Sequence, residues 1–324
     1  MKTSRILVLL FAAWTWVAAP AAPMHFGLFS DAPYSAWERE QFPLLIAEMS
    51  AQPLAFVVHG GDIKNSSSAC TDETYAAILE AFQGSRHPLV YVPGDNEWAD
   101  CHHRLNAGFD PLERLDRLRA LFWAGDASLG HRTMVLERQS RHAEFAAYRE
   151  NVRWKSGGVL FIGLNLPGSE NNYYGEHIGA PDRKGPVAEF TRRAAANRAW
   201  LADAFALARR EGLPGILIVA HANPGFEAWN EGKTSVAYGD FLEQLRDEVQ
   251  RFAGQVVLVH GDTHKQRIDQ PMRDAASGAV VSNFRRVELF GYPELGWVRG
   301  TVDTEEPEVF RFEPRPWRRG GGAP

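Results

Sequence analysis

Apolar residues along this chain fall into two rhythms that alternate. Short continuous runs end His25–Asp31, Leu54–Asp62, Leu89–Asp95, Gly215–His221 and Gln255–Asp262 on acidic or histidine residues. These runs are mostly rich in β-branched or aromatic residues and are followed by Gly, Pro or polar positions, which reads as buried strands. Between them lie stretches with helical spacing over Trp37–Met49, Asp72–Phe82, Pro111–Phe122, about Pro186 to Arg210, and Val236–Phe252. The first of these places Phe42, Leu45, Ile46 and Met49 on one face; the fourth stops at Gly212, as helix ends favour. Alternating strands and helices predict an α/β protein with a mainly parallel sheet covered by helices. The rhythm breaks twice. Val152–Lys155 and Val159–Asn165 flank Gly157-Gly158, a hairpin signature, and the C-terminal part holds only short strands, His264–Gln270, Val280–Val287, Trp297–Thr301 and Glu308–Phe312. That hairpin and strand-rich ending predict a second sheet packed on the first. Two long polar loops, Trp98–Asp110 and Pro167–Gly185, suit lids or recognition elements.

The first residues read differently from the rest. Lys2 and Arg5 precede an apolar stretch from Ile6 to Ala19 and a small-residue exit at Pro20-Ala-Ala-Pro23. Residues 1–22 therefore read as a signal peptide, and the mature chain as a secreted or periplasmic protein. The competing reading, a membrane anchor, needs about 20 apolar residues, more than this stretch offers. Residues 23–314 suffice for one large domain, and the Pro/Gly/Arg-rich residues 315–324 read as a flexible tail. The net charge is −5, more negative still without Lys2 and Arg5. Nucleic-acid binding, which rests on clustered cations, is disfavoured. Cys70 and Cys101, the two cysteines of the chain, lie in loops beyond the second and third acidic strand ends. In an exported protein they are expected to form a disulfide; the alternative is two free thiols.

The strand ends carry the chemistry. Asp31, Asp62, Asp95, His221, Asp262 and His264 each follow an apolar run. In open α/β sheets ligands bind at the carboxyl ends of the strands, so four carboxylates and two imidazoles are expected at one edge. Acids crowded in that way repel one another, and a bound cation is the simplest relief.

In order and approximate spacing, Ser30-Asp31, Gly60-Gly-Asp62, Pro93-Gly-Asp-Asn-Glu97, His221 and Gly261-Asp-Thr-His264 resemble the motif blocks of the calcineurin-like metallophosphoesterases. The resemblance spans about residues 25 to 265. It implies a four-layer β-sandwich of mixed sheets flanked by helices, and hydrolysis of a phosphate ester by a hydroxide bridging two divalent ions. Asp31, Asp62 and His264 would hold one ion; Asp62, Asp95, His221 and Asp262 would hold the other. Such a donor set suits Mn, Zn, Fe or Mg. The substrate would be a small-molecule or lipid phosphate ester.

Departures from the family pattern define the open questions. Pro33 stands where a histidine ligand is usual, and Tyr34, a carbonyl or water would take its place. Asp95 replaces an asparagine ligand and Asp262 a histidine ligand, so each position keeps a donor atom. Asn96 replaces the histidine that assists the leaving group; His102 and His103 either substitute as acids or are surface residues beside the Cys101 bridge. Asn65 either binds a phosphoryl oxygen or caps its loop, and Tyr34 is a second substrate-side candidate. His59 and His260 read as buried, satisfied histidines, and Glu97 as a support for a ligand. The losses at Pro33 and Asn96 also suit another class, a catalytically degenerate relative that serves as a binding or scaffold protein.

Overall fold

A computed structural model describes residues 22–175 and 184–317. Apart from residue 22, the expected signal peptide lies outside the described residues, as do residues 318–324 of the expected tail. Two mixed sheets lie face to face with helices on both outer surfaces, a four-layer α/β sandwich.

The first sheet contains β1 (Met24–Phe29), β2 (Val57–His59), β3 (Leu89–Tyr91), β11 (Gly296–Val302) and β12 (Phe310–Pro316), ordered β12-β11-β1-β2-β3. The second contains β4 (Glu137–Arg138), β5 (Val152–Ser156), β6 (Val159–Gly163), β7 (Gly215–Val219), β8 (Gln255–His260), β9 (Arg267–Asp269) and β10 (Phe284–Glu288), ordered β4-β5-β6-β7-β8-β10-β9. Side chains alternate across each strand, so each sheet has two apolar faces. Phe26, Leu28, Phe56, Val58 and Val90 point inward and meet Phe161, Leu217, Val219, Val257 and Val259 of the opposite sheet. The outward residues Val57, Leu89 and Tyr91 pack under α1 (Ala36–Ala51), α2 (Asp72–Gln83) and α3 (Pro111–Phe122). Ile162, Ile216, Ile218 and Leu258 pack under α4 (Ala188–Glu211), α5 (Phe226–Asn230) and α6 (Gly239–Gln250).

Local chemistry sets the helix ends. Ser35 and Glu38 form a reciprocal capping box on α1. Asp110 caps α3, with Pro111 in its first turn, where a missing N–H costs nothing. Gly212 ends α4 with φ 64°, a left-handed cap that suits glycine.

The division of strands differs from the expectation. The hairpin β5–β6 is not an appendage of a separate sheet: β6, β7, β8 and β10 are parallel neighbours, whereas β1, β2 and β3 form another parallel set. The last two strands return to the first sheet, β11 pairing antiparallel with β1 and β12 with β11. Periodicity marks strands but carries no information on which parallel set a strand joins. Two elements escaped the pattern, the two-residue β4 and the five-residue α5; both are too short to show a period. Residues 315–317 of the expected tail are instead held in place: Arg315 pairs with Trp297 in the sheet, and Trp317 donates its backbone N–H to Leu295 and its indole N–H to Gln41.

Cys70 and Cys101 are joined in a disulfide, with Cα atoms 5.8 Å apart and a sequence separation of 31. It ties the loop after β2 to the turn after β3, and both sulfurs are buried. Closing a loop of this length removes entropy from the unfolded chain, about 2–4 kcal/mol of stabilisation. Replacing both cysteines by alanine is expected to lower the thermal unfolding midpoint of the oxidised protein, and reductant should then have no further effect. A midpoint equal to that of the unreduced parent would contradict this.

Candidate metal centre

The parallel strands β1, β2, β3, β7 and β8 all end at one edge of the sandwich, and the loops that follow them meet there. Asp31 follows β1, Asp62 follows β2, Asp95 follows β3, His221 follows β7, and Asp262 and His264 follow β8. Four of these six residues leave their strands through the left-handed region, Asp31 with φ 52°, Asp62 60°, Asp262 75° and His264 57°. Side chains other than glycine seldom adopt that conformation, and it clusters at functional sites. Here it turns each side chain inward at the point where sheet pairing stops.

The resulting geometry is close. His221 Nε2 lies 3.3 Å from Asp62 Oδ1 and 3.1 Å from Asp95 Oδ1. His264 Nε2 lies 3.3 Å from Asp31 Oδ1. Donor atoms of Asp31, Asp62 and His221 all fall within 4.8 Å of one another, as do those of Asp95, His221 and Asp262. Asp62 was the residue expected at both ions and His221 at one; it is His221 that belongs to both groups. Asp31, Asp62, Asp95 and His221 are buried.

Three observations test whether the donor set fits cations. Carboxylates and imidazoles suit divalent first-row or hard ions. Asp95 Oδ1 and His221 Nε2 are both buried and make no hydrogen bond, although they are 3.1 Å apart. Third, the protonation balance is strained. Burial, reinforced by the Asp95 and Glu97 carboxylates, pushes Asp62 well above the usual carboxylate range. Burial and the Asp95 charge push Asp262 up to about 7. Burial would also raise Asp95, but the His221 ring and the Ser169 hydroxyl outweigh it and hold it at about 2. Burial opposes charge on His221, yet Asp62 and Asp95 hold its pKa well above the usual range. Such a set relieves its own repulsion by taking up protons or cations. The residues fit divalent cations.

Surrounding groups fix the ligands in place. His221 Nδ1 lies 2.9 Å from the Gly60 carbonyl and His264 Nδ1 2.9 Å from that of Tyr292. In each case this leaves Nε2 for the site, the arrangement common around metal-binding histidines. The Asp262 N–H donates to Asp31 Oδ1, and Asn223 N–H to Asp262 Oδ2. Glu97 accepts the N–H groups of Asp62 and Gly94 and the Tyr91 hydroxyl, which matches its expected supporting place. Gly94 has no room for a side chain: a Cβ there would lie 2.1 Å from Asp62 Oδ1.

The remaining candidates divide. Tyr34 donates its hydroxyl to Asp62 Oδ2 and accepts from the Asn96 side-chain amide at 2.9 Å. Asn96 also donates its backbone N–H to Asp62 Oδ1 at 3.1 Å. Both therefore lie on the centre. Asn65 accepts from the backbone and hydroxyl of Ser67 and donates to the Tyr34 carbonyl, the contacts of a loop cap. His102 Nδ1 contacts the Ala99 carbonyl, and His103 stacks near it, half exposed and 3.9 Å from Asp100. These are contacts of surface histidines beside the bridge. His59 is held by the Ala32 carbonyl and the Gly61 N–H, and burial lowers its pKa to about 3, so it is neutral and structural.

Three contributors had no signal in the sequence. Lys64 is buried; it donates to Asn65 and Asn106, and its charge faces Glu97, Asp62, Asp100 and Asp95. Ser169 donates to Asp95 Oδ2 at 2.7 Å. Gly168 brings backbone against both Asp95 and Asp262. Lysines are rarely buried, and nothing in the sequence marks Lys64. Ser169 and Gly168 lie in a polar loop without periodicity.

No protein-family model matches the chain, and no curated protein matches it either. Solved structures do. A dimetal phosphatase from Danio rerio aligns over 90% of this chain and 96% of its own, with a TM-score of 0.55 and 13% identity. A protein named PhoD aligns with a TM-score of 0.52 and 15% identity, over 88% of this chain and 65% of its own. The purple acid phosphatase PPD1 from yellow lupin seeds, Lupinus luteus, aligns with a TM-score of 0.51 and 13% identity, over 91% of this chain and 54% of its own. The chain thus spans less than two thirds of the latter two. At such identities the likeness concerns the backbone, and in its two stacked mixed sheets with flanking helices the chain has the calcineurin-like metallophosphoesterase fold.

Proposed function

We propose that this chain is an exported phosphoric ester hydrolase that depends on two divalent ions. The observation that carries the reading is the pair of overlapping donor groups, Asp31–Asp62–His221 and Asp95–His221–Asp262, at one edge of a phosphatase-like sandwich. Asp31, Asp62 and His264 would hold one ion, and Asp62, Asp95, His221 and Asp262 the other, His221 through its one free nitrogen, Nε2. Two such ions lower the pKa of water and neutralise charge on attacking and leaving oxygens.

The chain's own residues have narrower tasks. Tyr34 and Asn96 donate to Asp62 and fix the plane of its carboxylate. His264, a quarter exposed, and Tyr34 mark the side open to substrate. Both cysteines are locked in a disulfide, so no thiol serves as nucleophile. On the two-ion reading water would be the nucleophile, with no covalent phospho-enzyme. The acidic balance of the chain favours a small-molecule or lipid phosphate ester over a nucleic acid. The described part of the chain has no helix long and apolar enough to cross a membrane. The disulfide supports export.

One observation favours a second reading. Asn96, whose amide contacts Tyr34, stands where the family pattern has a histidine, and an amide cannot supply a proton, which suits a relative that only binds its ligand. Turnover separates the two.

Metal analysis of the purified mature protein is expected to give two ions per chain, and Asp62→Asn to lose at least one. Equal metal content in the two proteins would remove Asp62 from the centre. After loading with Mn, Zn or Fe, bis-p-nitrophenyl or p-nitrophenyl phosphate should turn over, whereas no turnover with both ions bound would favour the binding protein. With a chiral phosphate ester, hydrolysis should invert configuration at phosphorus, and retention would reject direct attack by water. Since general acid help is worth about 10²–10⁴-fold, alkyl phosphates should lag p-nitrophenyl esters by that order. Equal rates would show that another group donates the proton.

A further inference from the structure

Ser169, Glu170, Asn171 and Asn172 all have positive φ, 47°, 54°, 53° and 51°. Four successive non-glycine residues in the left-handed region form a strained turn, which persists only where its surroundings over-determine it. The surroundings here are extensive. The guanidinium of Arg193, itself fully buried, donates to the Asn171 side chain at 2.6 Å and to the Asn171 carbonyl at 2.7 Å. It also donates to Glu189 at 2.7 Å and lies 5.4 Å from the centre of the Trp98 ring. Tyr238 accepts the Asn171 N–H at 3.0 Å and donates to the Pro167 carbonyl at 2.9 Å. The Asn171 amide donates to Ala237 at 2.9 Å and the Asn172 amide to Glu189 at 2.8 Å.

What the turn presents is specific. The Ser169 hydroxyl donates to Asp95 Oδ2 at 2.7 Å, while Asp95 Oδ1 is buried with no hydrogen-bond partner. Gly168, just before the turn, could carry no side chain: a Cβ would stand 2.8 Å from Asp95 Oδ1 and 2.6 Å from Asp262 Oδ1. The turn is therefore a wall of the site at the Asp95–Asp262 side. It takes up one oxygen of Asp95 and leaves the other.

We propose that Ser169 is a positioning residue that restricts Asp95 to ligation through one oxygen, and that Arg193 is the latch holding the turn which carries it. This rests on the two-ion reading above. A ligand whose second oxygen is engaged keeps its orientation when the ion leaves, and a one-oxygen ligand spares a coordination position for water or substrate.

The test is calorimetric titration of chelator-stripped, full-length mature protein with Mn and with Zn, followed by the visible spectrum of the Co-loaded protein. Ser169→Gly is the informative variant, because glycine accepts the left-handed conformation and only the hydroxyl is lost. Parent protein should show two binding events. Ser169→Gly should keep two, with one Kd weakened about 10–100-fold, the usual effect of removing a group that supports a ligand. The Co bands of that ion should shift. Ser169→Ala should do the same, and Arg193→Lys, which keeps the charge but not the planar fork, should weaken the same ion. Two ions bound by Ser169→Gly with parental affinities and spectrum would overturn the role of Ser169 and leave the two-ion reading standing. A normal Ser169→Gly beside a weakened Ser169→Ala would assign the effect to backbone strain and overturn it as well. An unchanged Arg193→Lys would overturn the latch. Parent protein that binds no ion would overturn this proposal together with the reading on which it rests.

Discussion

Burying Asp31, Asp62 and Asp95 beside Asp262 is the constraint to which the rest of the molecule answers. Charges withdrawn from water are costly unless they are paired, and like charges at short range compound the cost. The protein offsets part of this with His221, His264 and the buried Lys64, and part with N–H donors from Asp262, Asn96 and Asn223. The balance stays incomplete, which is why neighbouring carboxylates are driven in opposite directions, Asp262 up to about 7 and Asp95 down to about 2. A site so poised is a poor way to stabilise a fold and a good way to hold cations.

The sandwich exists to bring that cluster together. An apolar inner layer runs from Phe26 and Phe56 on one sheet to Phe161 and Val257 on the other, and it sets the spacing between strand ends. Ligands from β1, β2 and β3 can then face ligands from β7 and β8 across the seam. Side chains at the seam leave no slack: glycines at 61, 94, 168 and 261 let backbone approach ligand atoms more closely than any other residue permits.

Much of this was legible from residue order. Short apolar runs ending on Asp or His gave both the strands and the six ligand candidates, because a buried strand has to end before its polar cargo begins. The helices were read within a few residues, α3 without error, since amphipathic spacing is a direct record of one face against a sheet. Sheet membership was not legible, because parallel pairing is decided by tertiary contacts absent from any local pattern. The supporting groups were hidden for a different reason. Lys64, Ser169 and Arg193 act through contacts with residues 42, 74 and 22 positions away, at Asn106, Asp95 and Asn171, which no local pattern records.

β1, the first strand of the described chain, is wedged between β2 and a strand near the opposite terminus, with His25 facing Thr301. The layer that carries Asp31 thus remains open along one side until β11 has been made. Long-range closure of that kind slows folding, since the loop entropy has to be overcome before the contacts reward it. A chain truncated ahead of Gly296 would present the exposed flank of β1 to its neighbours as a template for association.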